Sequence, residues 1–428
     1  MKSISIYIHI PFCVKKCQYC DFLSAPADSR AQEVYLRALK QEIREQAARY
    51  REYEVQTVFI GGGTPTAVPC ENLCEVLKTV FSFYRMNPHA EISMEANPGT
   101  VTKEALLSYR KAGINRISIG LQSADDMELK LLGRIHTYRD FQQTYRWAQE
   151  AGFTNINLDI MSALPGQSVE NYKKTLETVL SLKPQHISAY SLIVEEGTPF
   201  YEKYGQESEK LQATGEKQPD LPSEEEEREM YALTEKLLAA AGYHRYEISN
   251  YALPGRECRH NLVYWKRGNY VGFGLGAASM VENVRFENIR EVQEYLAEYA
   301  GMPDAEPVFA EVAQGDAQVL SNEQEFSLRE DIHSENEQEL SIRENVHPLS
   351  PQEQMEETMF LGLRLTEGVS KAEFHRQFGV SMEQIYGEVI RKNTAKGLLI
   401  DEAGYVCLTR EGMDLSNYVM AQFLLDEV

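Results

Sequence analysis

Cys13-Val14-Lys15-Lys16-Cys17-Gln18-Tyr19-Cys20 crowds three of the chain's seven cysteines into eight residues. Thiolates are the usual protein ligands of iron–sulfur clusters. Three in one short loop can close around one face of a [4Fe–4S] cubane and leave the fourth iron open to another ligand. A zinc site would ask for a fourth cysteine or histidine nearby. His9 is close enough, but it lies inside the alternating run Ile4–Ile10 and can equally point into a core. A purely structural trio is the third reading, and the clustering argues against it. The other cysteines look like packing residues. Cys70 and Cys74 lie one helical turn apart, Cys258 sits beside an aromatic run, and Cys407 falls in a C-terminal hairpin.

More polar candidates recur at regular places downstream. Gly61-Gly62-Gly63-Thr64-Pro65-Thr66 follows a second apolar run, and glycine lets backbone N–H groups approach a ligand closely. A lone glycine run can also be only a tight turn. Glu95, Gln122 and Asp159 lie in or just past later runs. Each alone reads as a strand-end cap or a solvated rim residue; together they repeat where α/β proteins keep their sites. Arg134 can hold a carboxylate through two N–H groups, or can be a surface arginine.

These residues need elements to position them. Up to about residue 193, short apolar strands alternate with amphipathic helices. The pattern predicts strands over Ile4–Ile10, Val55–Ile60, Glu91–Glu95, Arg116–Gly120, Asn155–Ile160 and His186–Ile193. Between them, Val34, Ala38, Leu39 and Ile43 form one helical stripe. Thr102 opens another helix that stops at Gly113, and Ser168 opens one that ends before Pro184. Six strand–helix units in series imply an α/β fold, a partial (βα)6 TIM-like barrel, open rather than closed, with chemistry at the carboxyl ends of the strands.

Four regions follow: residues 1–197 form the barrel, and 198–302 a connecting region with an aromatic, glycine-punctuated stretch. Residues 303–351 form an acidic low-complexity insertion, and 352–428 a smaller C-terminal domain. Ser223 with Glu226 gives a capping box inside the second. In the third, Asn322–His333 nearly recurs as Asn336–His347. Two copies are too few for a solenoid, so the segment reads as a duplicated surface insertion, or as a partner-binding tail. In the fourth, Phe374, Phe378, Ile385 and Val389 mark helices, and Leu398–Ile400 with Tyr405–Leu408 a hairpin. That α+β unit resembles a winged helix, but its charge is mixed and it lacks a basic recognition stripe.

Lys+Arg 43 against Asp+Glu 65 gives a net charge of −22, which argues against nucleic acid as a main partner. No apolar run reaches the roughly 20 residues that span a bilayer. The first residues alternate as a strand and lack a secretory core, so the expected compartment is the cytoplasm, where thiols stay reduced.

The C-x3-C-x2-C spacing after a first strand, with Tyr19 before the last cysteine, resembles the radical S-adenosylmethionine superfamily. Tyr7-Ile-His-Ile-Pro-Phe-Cys13, Gly61–Thr66 and Leu164-Pro-Gly-Gln167 resemble its coproporphyrinogen-oxidase-like group over nearly the whole chain. The resemblance implies a [4Fe–4S] cluster on Cys13, Cys17 and Cys20, with S-adenosylmethionine on the open iron. Its implied contacts are Tyr7, Tyr19, Gly62, Gly63, Thr64, Glu95, Gln122, Arg134, Asp159 and Ile193, with Ala278 as a further one.

Two departures separate the branches of that group. The oxidases carry another cysteine two residues past the third ligand, where this chain has Phe22, and a long segment before the position of Tyr7. His260-Asn261-Leu262-Val263-Tyr264-Trp265 matches the H-N-x-x-Y-W motif of the HemW haem-chaperone branch. This resemblance implies haem binding by His260, Tyr264 and Trp265. It also implies transfer to haem-acceptor proteins, membrane respiratory enzymes among the candidates, and a homodimer as one candidate state. Physically, an imidazole can ligate iron, a phenol can ligate or hydrogen-bond, and an indole offers a flat apolar face. His260 and Tyr264 share a face in a helix and in a strand alike, and a histidine among aromatics is often a satisfied core residue. The rival reading is oxygen-independent decarboxylation of coproporphyrinogen III; a radical methyltransferase ranks behind both.

Overall fold

Alternation along the strands sorts side chains onto two faces with opposite chemistry. On the first strand Ile4, Ile6, Ile8 and Ile10 are 1% exposed or less. They share one apolar core with Leu36, Leu39 and Ile43 of the helix Ser29–Gln46, and with Val76, Leu77 and Val80 of the helix Cys70–Phe83. Burying four isoleucines is worth about 6–12 kcal/mol as an upper bound. The residues between them, Ser5, Tyr7 and His9, face the other way. The same split recurs on each neighbour, setting Thr57, Glu91, Ser93, Glu95, Arg116, Ser118, Asn157, Asp159, His186 and Ser188 on a polar inner wall.

The computed structural model describes residues 1–205, 220–300 and 342–425. Six strands, β1 (Lys2–Ile10), β2 (Tyr53–Gly62), β3 (Met86–Ala96), β4 (Arg116–Gln122), β5 (Ile156–Ser162) and β6 (His186–Ser191), lie side by side in chain order. All neighbouring pairs among them are parallel. Thr102 and Ser168 cap their helices through the side chain, as the sequence predicts, and Ser223 with Glu226 forms the capping box.

The sheet continues past these six. Beyond β6 come β7 (His244–Arg245) and β8 (Asn250–Ala252), with β8 antiparallel to β6. Beside β1 lie β9 (Tyr270–Phe273), β10 (Ala278–Val281), β11 (Val284–Asn288) and β12 (Arg343–Pro348). β9 runs parallel to β1 and the last three are antiparallel. Among the described residues the result is one open sheet of twelve strands, ordered β12-β11-β10-β9-β1-β2-β3-β4-β5-β6-β8-β7. The region expected to connect two domains therefore supplies strands on both sides of the six: β7 and β8 at one edge, and β9 to β11 toward the other, which β12 completes. The expected insertion also ends early: Ile342 is 1% exposed and β12 pairs with β11, so the close of the second repeat is sheet. The first copy and the start of the second lie outside the described residues.

A second core, built from Met359, Phe374, Met382, Tyr386, Ile390, Val406 and Phe423, defines the C-terminal unit. Its helices Lys371–Phe378 and Met382–Ala395 pack with a small sheet of Val369–Ser370, Tyr405–Leu408 and Leu399–Glu402. Glu357 fastens it to the main sheet by accepting from Arg267 Nε at 2.9 Å and Arg285 Nε at 2.7 Å.

Candidate functional site

The cysteine loop leaves β1 at Pro11 and returns at Ala25, where the Cys13 N–H donates to the Ala25 carbonyl at 3.1 Å. Cys13, Cys17 and Cys20 are free thiols, each half-buried. Donors from two neighbouring segments reach two of the sulfurs: Thr64 Oγ1, just past β2, lies 3.5 Å from Cys13 Sγ, and Arg134 Nη1, after the helix Asp126–Leu131, lies 3.6 Å from Cys17 Sγ. A hydroxyl and a guanidinium beside the sulfurs can donate hydrogen bonds to an anionic cluster. Among the described residues no three His, Cys, Asp or Glu side chains are grouped closely enough to hold a metal ion, so the loop alone does not draw the three sulfurs onto one centre. His9 is not a fourth ligand. Its Nε2 meets the Leu23 carbonyl at 2.9 Å, its Nδ1 meets the Tyr7 hydroxyl at 3.0 Å, and burial lowers its pKa.

The glycine turn after β2 packs against that loop. Gly62 has φ +112°, and a Cβ there would come within 2.6 Å of the His9 ring; one on Gly63 would meet the Phe12 carbonyl oxygen at 2.6 Å. The Gly62 N–H donates to Glu95 Oε2 at 3.2 Å. Burial, and then the Asp159 carboxylate, push the Glu95 pKa up to about 8. Asp159 is also shifted up by burial, although it accepts from Ser118 Oγ at 2.9 Å and Asn157 Nδ2 at 2.7 Å. Gln122 ends β4 with φ +70°, a left-handed conformation that turns the chain at the strand end.

Arg134 is the most committed of the implied contacts. It donates to Asn97 Oδ1 at 2.5 Å and to the Gly120 carbonyl at 2.8 Å, yet its buried Nε has no partner. A buried orphan donor beside the cysteine loop suits a carboxylate. Tyr19 packs with Leu132, Met161, Leu164 and Phe200 behind it. Ile193 stands apart, 66% exposed past the end of β6. Ala278 opens β10 and faces a different cavity from Glu95 and Asp159.

The short helix Arg259–Trp265 closes the floor of the inner wall. Its N-cap, Cys258, makes no side-chain cap bond. Glu91 on β3 replaces it, accepting from the backbone N–H groups of Arg259 at 3.1 Å and His260 at 3.2 Å. The His260 ring is 1% exposed and stacks on Phe59, with centroids 5.2 Å apart. Thr57 donates its hydroxyl proton to Ser5, so it accepts from His260 Nδ1 at 2.7 Å; Nε2 then accepts from the Tyr264 hydroxyl at 2.8 Å. Burial, and then the Arg116 charge, lower the His260 pKa to about 3, so the ring is neutral. Trp265 points away, toward the C-terminal unit, where the Arg364 guanidinium lies 4.4 Å from its ring. The H-N-x-x-Y-W trio therefore splits: His260 and Tyr264 form one hydrogen-bonded pair, and Trp265 belongs to an interface.

Two cavities flank the pair. One of about 220 Å3 lies over the inner wall, among Glu95, Arg116, Asp159 and His260. The other, of about 490 Å3, lies beside the cysteine loop among Lys16, Phe22, Tyr270 and Arg290. Tyr7 and Tyr264 line both. Arg116, 2% exposed with an unpartnered Nε, and Glu91, Thr57, Tyr270 and Arg290 were not singled out by sequence reasoning. The signal for the inner-wall members was the polar half of the strand alternation.

The Radical SAM superfamily model matches residues 7–179, and the HemN C-terminal domain model matches residues 349–415. Heme chaperone HemW of Bacillus subtilis is 36% identical over 98% of this chain and 99% of its own length. Heme chaperone HemW of Escherichia coli is 39% identical over 66% of this chain and 71% of its own. A zebrafish protein, radical S-adenosyl methionine domain-containing protein 1, mitochondrial, is 29% identical over 99% of the chain and 87% of its own. The structure of coproporphyrinogen III oxidase from Escherichia coli superposes with a TM-score of 0.77 at 21% identity, covering 99% of this chain and 90% of that one, a likeness of fold.

Proposed function

Because this chain belongs to the HemW haem-chaperone family of the radical S-adenosylmethionine superfamily, we propose that it binds haem and passes it to acceptor proteins from a cytoplasmic position. The observation that carries the reading is the place of Tyr264, in the wall between two cavities beside the cysteine loop. Phe22 lines the larger cavity at the position where the resemblance puts an extra cysteine in the oxidases.

In this reading Cys13, Cys17 and Cys20 hold a [4Fe–4S] cluster, which supplies an open iron and one electron for cleaving a sulfonium. The loop's attachment at Ala25 fixes where the three thiols start, and Arg134 and Thr64 approach the sulfurs as donors. The unpartnered Arg134 Nε is matched to the carboxylate of S-adenosylmethionine. Glu95, held by the Gly62 N–H and close to neutral at physiological pH, serves as a hydrogen-bonding group for hydroxyl or ammonium functions. Asp159, fixed by Ser118 and Asn157, offers a second oriented acceptor in the same cavity.

The test uses anaerobically purified, cluster-reconstituted protein. One portion receives haem; another receives coproporphyrinogen III, S-adenosylmethionine and a reductant. A stoichiometric Soret band without protoporphyrinogen formation is expected. Turnover of the porphyrinogen would replace the chaperone reading with the oxidase one.

A further inference from the structure

We propose that Asn97, just past the end of β3, is a positioning residue for the cluster: its amide aims two hydrogen-bond donors at the sulfurs of Cys13 and Cys17 and so sets the reduction potential. This rests on the reading of Cys13, Cys17 and Cys20 as cluster ligands and assigns a tuning group within it. The two donors, Thr64 and Arg134, come from separate segments of the chain. The Asn97 side chain touches both, Nδ2 donating to Thr64 Oγ1 at 2.8 Å and Oδ1 accepting from Arg134 Nη2 at 2.5 Å.

The partners' chemistry fixes which way each proton points. A guanidinium only donates, so the Asn97 oxygen, and not its nitrogen, must face Arg134. The NH2 end then faces Thr64 and occupies a lone pair of its hydroxyl. That leaves the Thr64 proton free to point at Cys13 Sγ, 3.5 Å away. A reversed amide would draw the same proton to the Asn97 oxygen and away from sulfur. On the other arm, Arg134 Nη2 is shared between Asn97 and the Gly120 carbonyl at 2.8 Å. Two anchors on one nitrogen hold the guanidinium plane so that Nη1 reaches Cys17 Sγ at 3.6 Å.

The surroundings keep Asn97 in this pose. Its backbone N–H donates to Thr66 Oγ1 at 3.1 Å, and its carbonyl accepts from Thr100 Oγ1 at 2.8 Å. The two threonine hydroxyls bond each other at 2.6 Å, closing the turn after β3. Gly120 leaves room for the pair, since a Cβ there would come within 2.9 Å of Asn97 Oδ1 and 3.1 Å of Arg134 Nη2. Thr64 is buried, so water competes little for its proton. Hydrogen bonds to cluster sulfurs stabilise the reduced, more negative state and are among the factors that set its potential. Two aligned donors therefore raise the potential, and loss of their alignment lowers it.

The cluster of anaerobically reconstituted, full-length protein would be titrated electrochemically, with electron paramagnetic resonance as readout, beside Asn97→Leu, Thr64→Val and the double variant. Asn97→Leu should keep its iron and sulfide content and lower the midpoint by about tenfold in the reduction equilibrium, ~59 mV for one electron. Thr64→Val keeps the side-chain shape and removes the hydroxyl; it should give a smaller shift in the same direction. The double variant should shift by less than the sum, because Asn97 acts partly through Thr64. Gly120→Ala crowds the Asn97–Arg134 pair without removing either group, and should reproduce part of the drop should Asn97→Leu fail to fold. An unchanged or raised midpoint in Asn97→Leu, or in Gly120→Ala where it stands in, would overturn the proposal, as would strictly additive shifts. Loss of the cluster from a folded Asn97→Leu would overturn it too, making Asn97 a requirement of assembly. Failure of the unaltered protein to assemble a [4Fe–4S] cluster would instead remove the reading of Cys13, Cys17 and Cys20 itself.

Discussion

The two cavities share Tyr7 and Tyr264 as a common wall but are built by different means. The smaller is made almost wholly of strand residues on the inner wall, where each polar atom is placed by the pleat and most are already bonded. Ser118, Asn157 and Asp159 hold one another across β4 and β5, and Ser188 Oγ donates to Asn157 Oδ1 at 3.2 Å. The larger is made of loop and edge residues: the stretch Asp21–Ser24, the turn Gly276–Ala278, and Arg290 beyond β11. Parallel strands preorganise a polar site because their register cannot shift without turning the apolar face to water. Loops leave room for a bulky, exchangeable ligand. The division fits a resident cofactor on the strands and a cargo on the rim.

Cys17→Ser would probe the separation most severely. It is expected to abolish the cluster absorption and to leave measurable haem binding; loss of both would mean that the larger cavity exists only when the cluster braces the loop. Glu95→Gln touches only the smaller cavity. By equilibrium dialysis it should weaken S-adenosylmethionine binding about tenfold, the worth of one hydrogen bond, with haem affinity unchanged. A parallel loss of haem affinity would erase the distinction.

Glu42 offers a subtler test, since it holds the base of the turn that edges the larger cavity. It is 1% exposed and accepts from the Gly274 N–H at 2.8 Å, Tyr295 Oη at 2.6 Å and Asn288 Nδ2 at 2.6 Å. Burial raises its pKa to about 7. A carboxyl raised in the fold contributes stability that is fully present below its unfolded value of about 4.3 and is lost as pH climbs to about 7. Thermal unfolding across that window should show a decline that Glu42→Gln flattens; an unchanged slope would mean that other groups set it. The smallest effects belong far from both cavities. Lys266→Ala removes an ion pair with Glu367 whose partners are 53% and 58% exposed, and should change stability by less than about 0.5 kcal/mol. Glu357→Gln is not one of these small effects: it loosens two guanidiniums at the domain junction, one of which also bonds Tyr270 beside the larger cavity, and should cost about 2 kcal/mol in urea unfolding.

The parallel strands were legible because β-branched residues at every second position mark them locally, as on β1 and β4. The polar residues between them carry as much information, and reading only the isoleucines left Arg116, Glu91 and Thr57 out of the site. Strands β9 to β12 were not legible: each is short, and β12 joins β11 across a gap of more than fifty residues. Spacing placed His260 and Tyr264 on one face, and they are hydrogen-bonded. It carried no trace that Thr57 and Glu91, about 200 and 170 residues earlier, fix the imidazole and cap its helix. Trp265 follows Tyr264 in sequence, yet one residue is a turn of about 100° on a helix, and that sends it to the C-terminal unit.

The most direct test of two separate compartments is a simultaneous binding measurement. Cluster-reconstituted protein would be loaded with one equivalent of haem and dialysed against labelled S-adenosylmethionine. One equivalent of each, bound together with the haem spectrum intact, is the expected result. Mutual exclusion, with each ligand displacing the other, would show that the cavities on either side of Tyr7 and Tyr264 act as a single site.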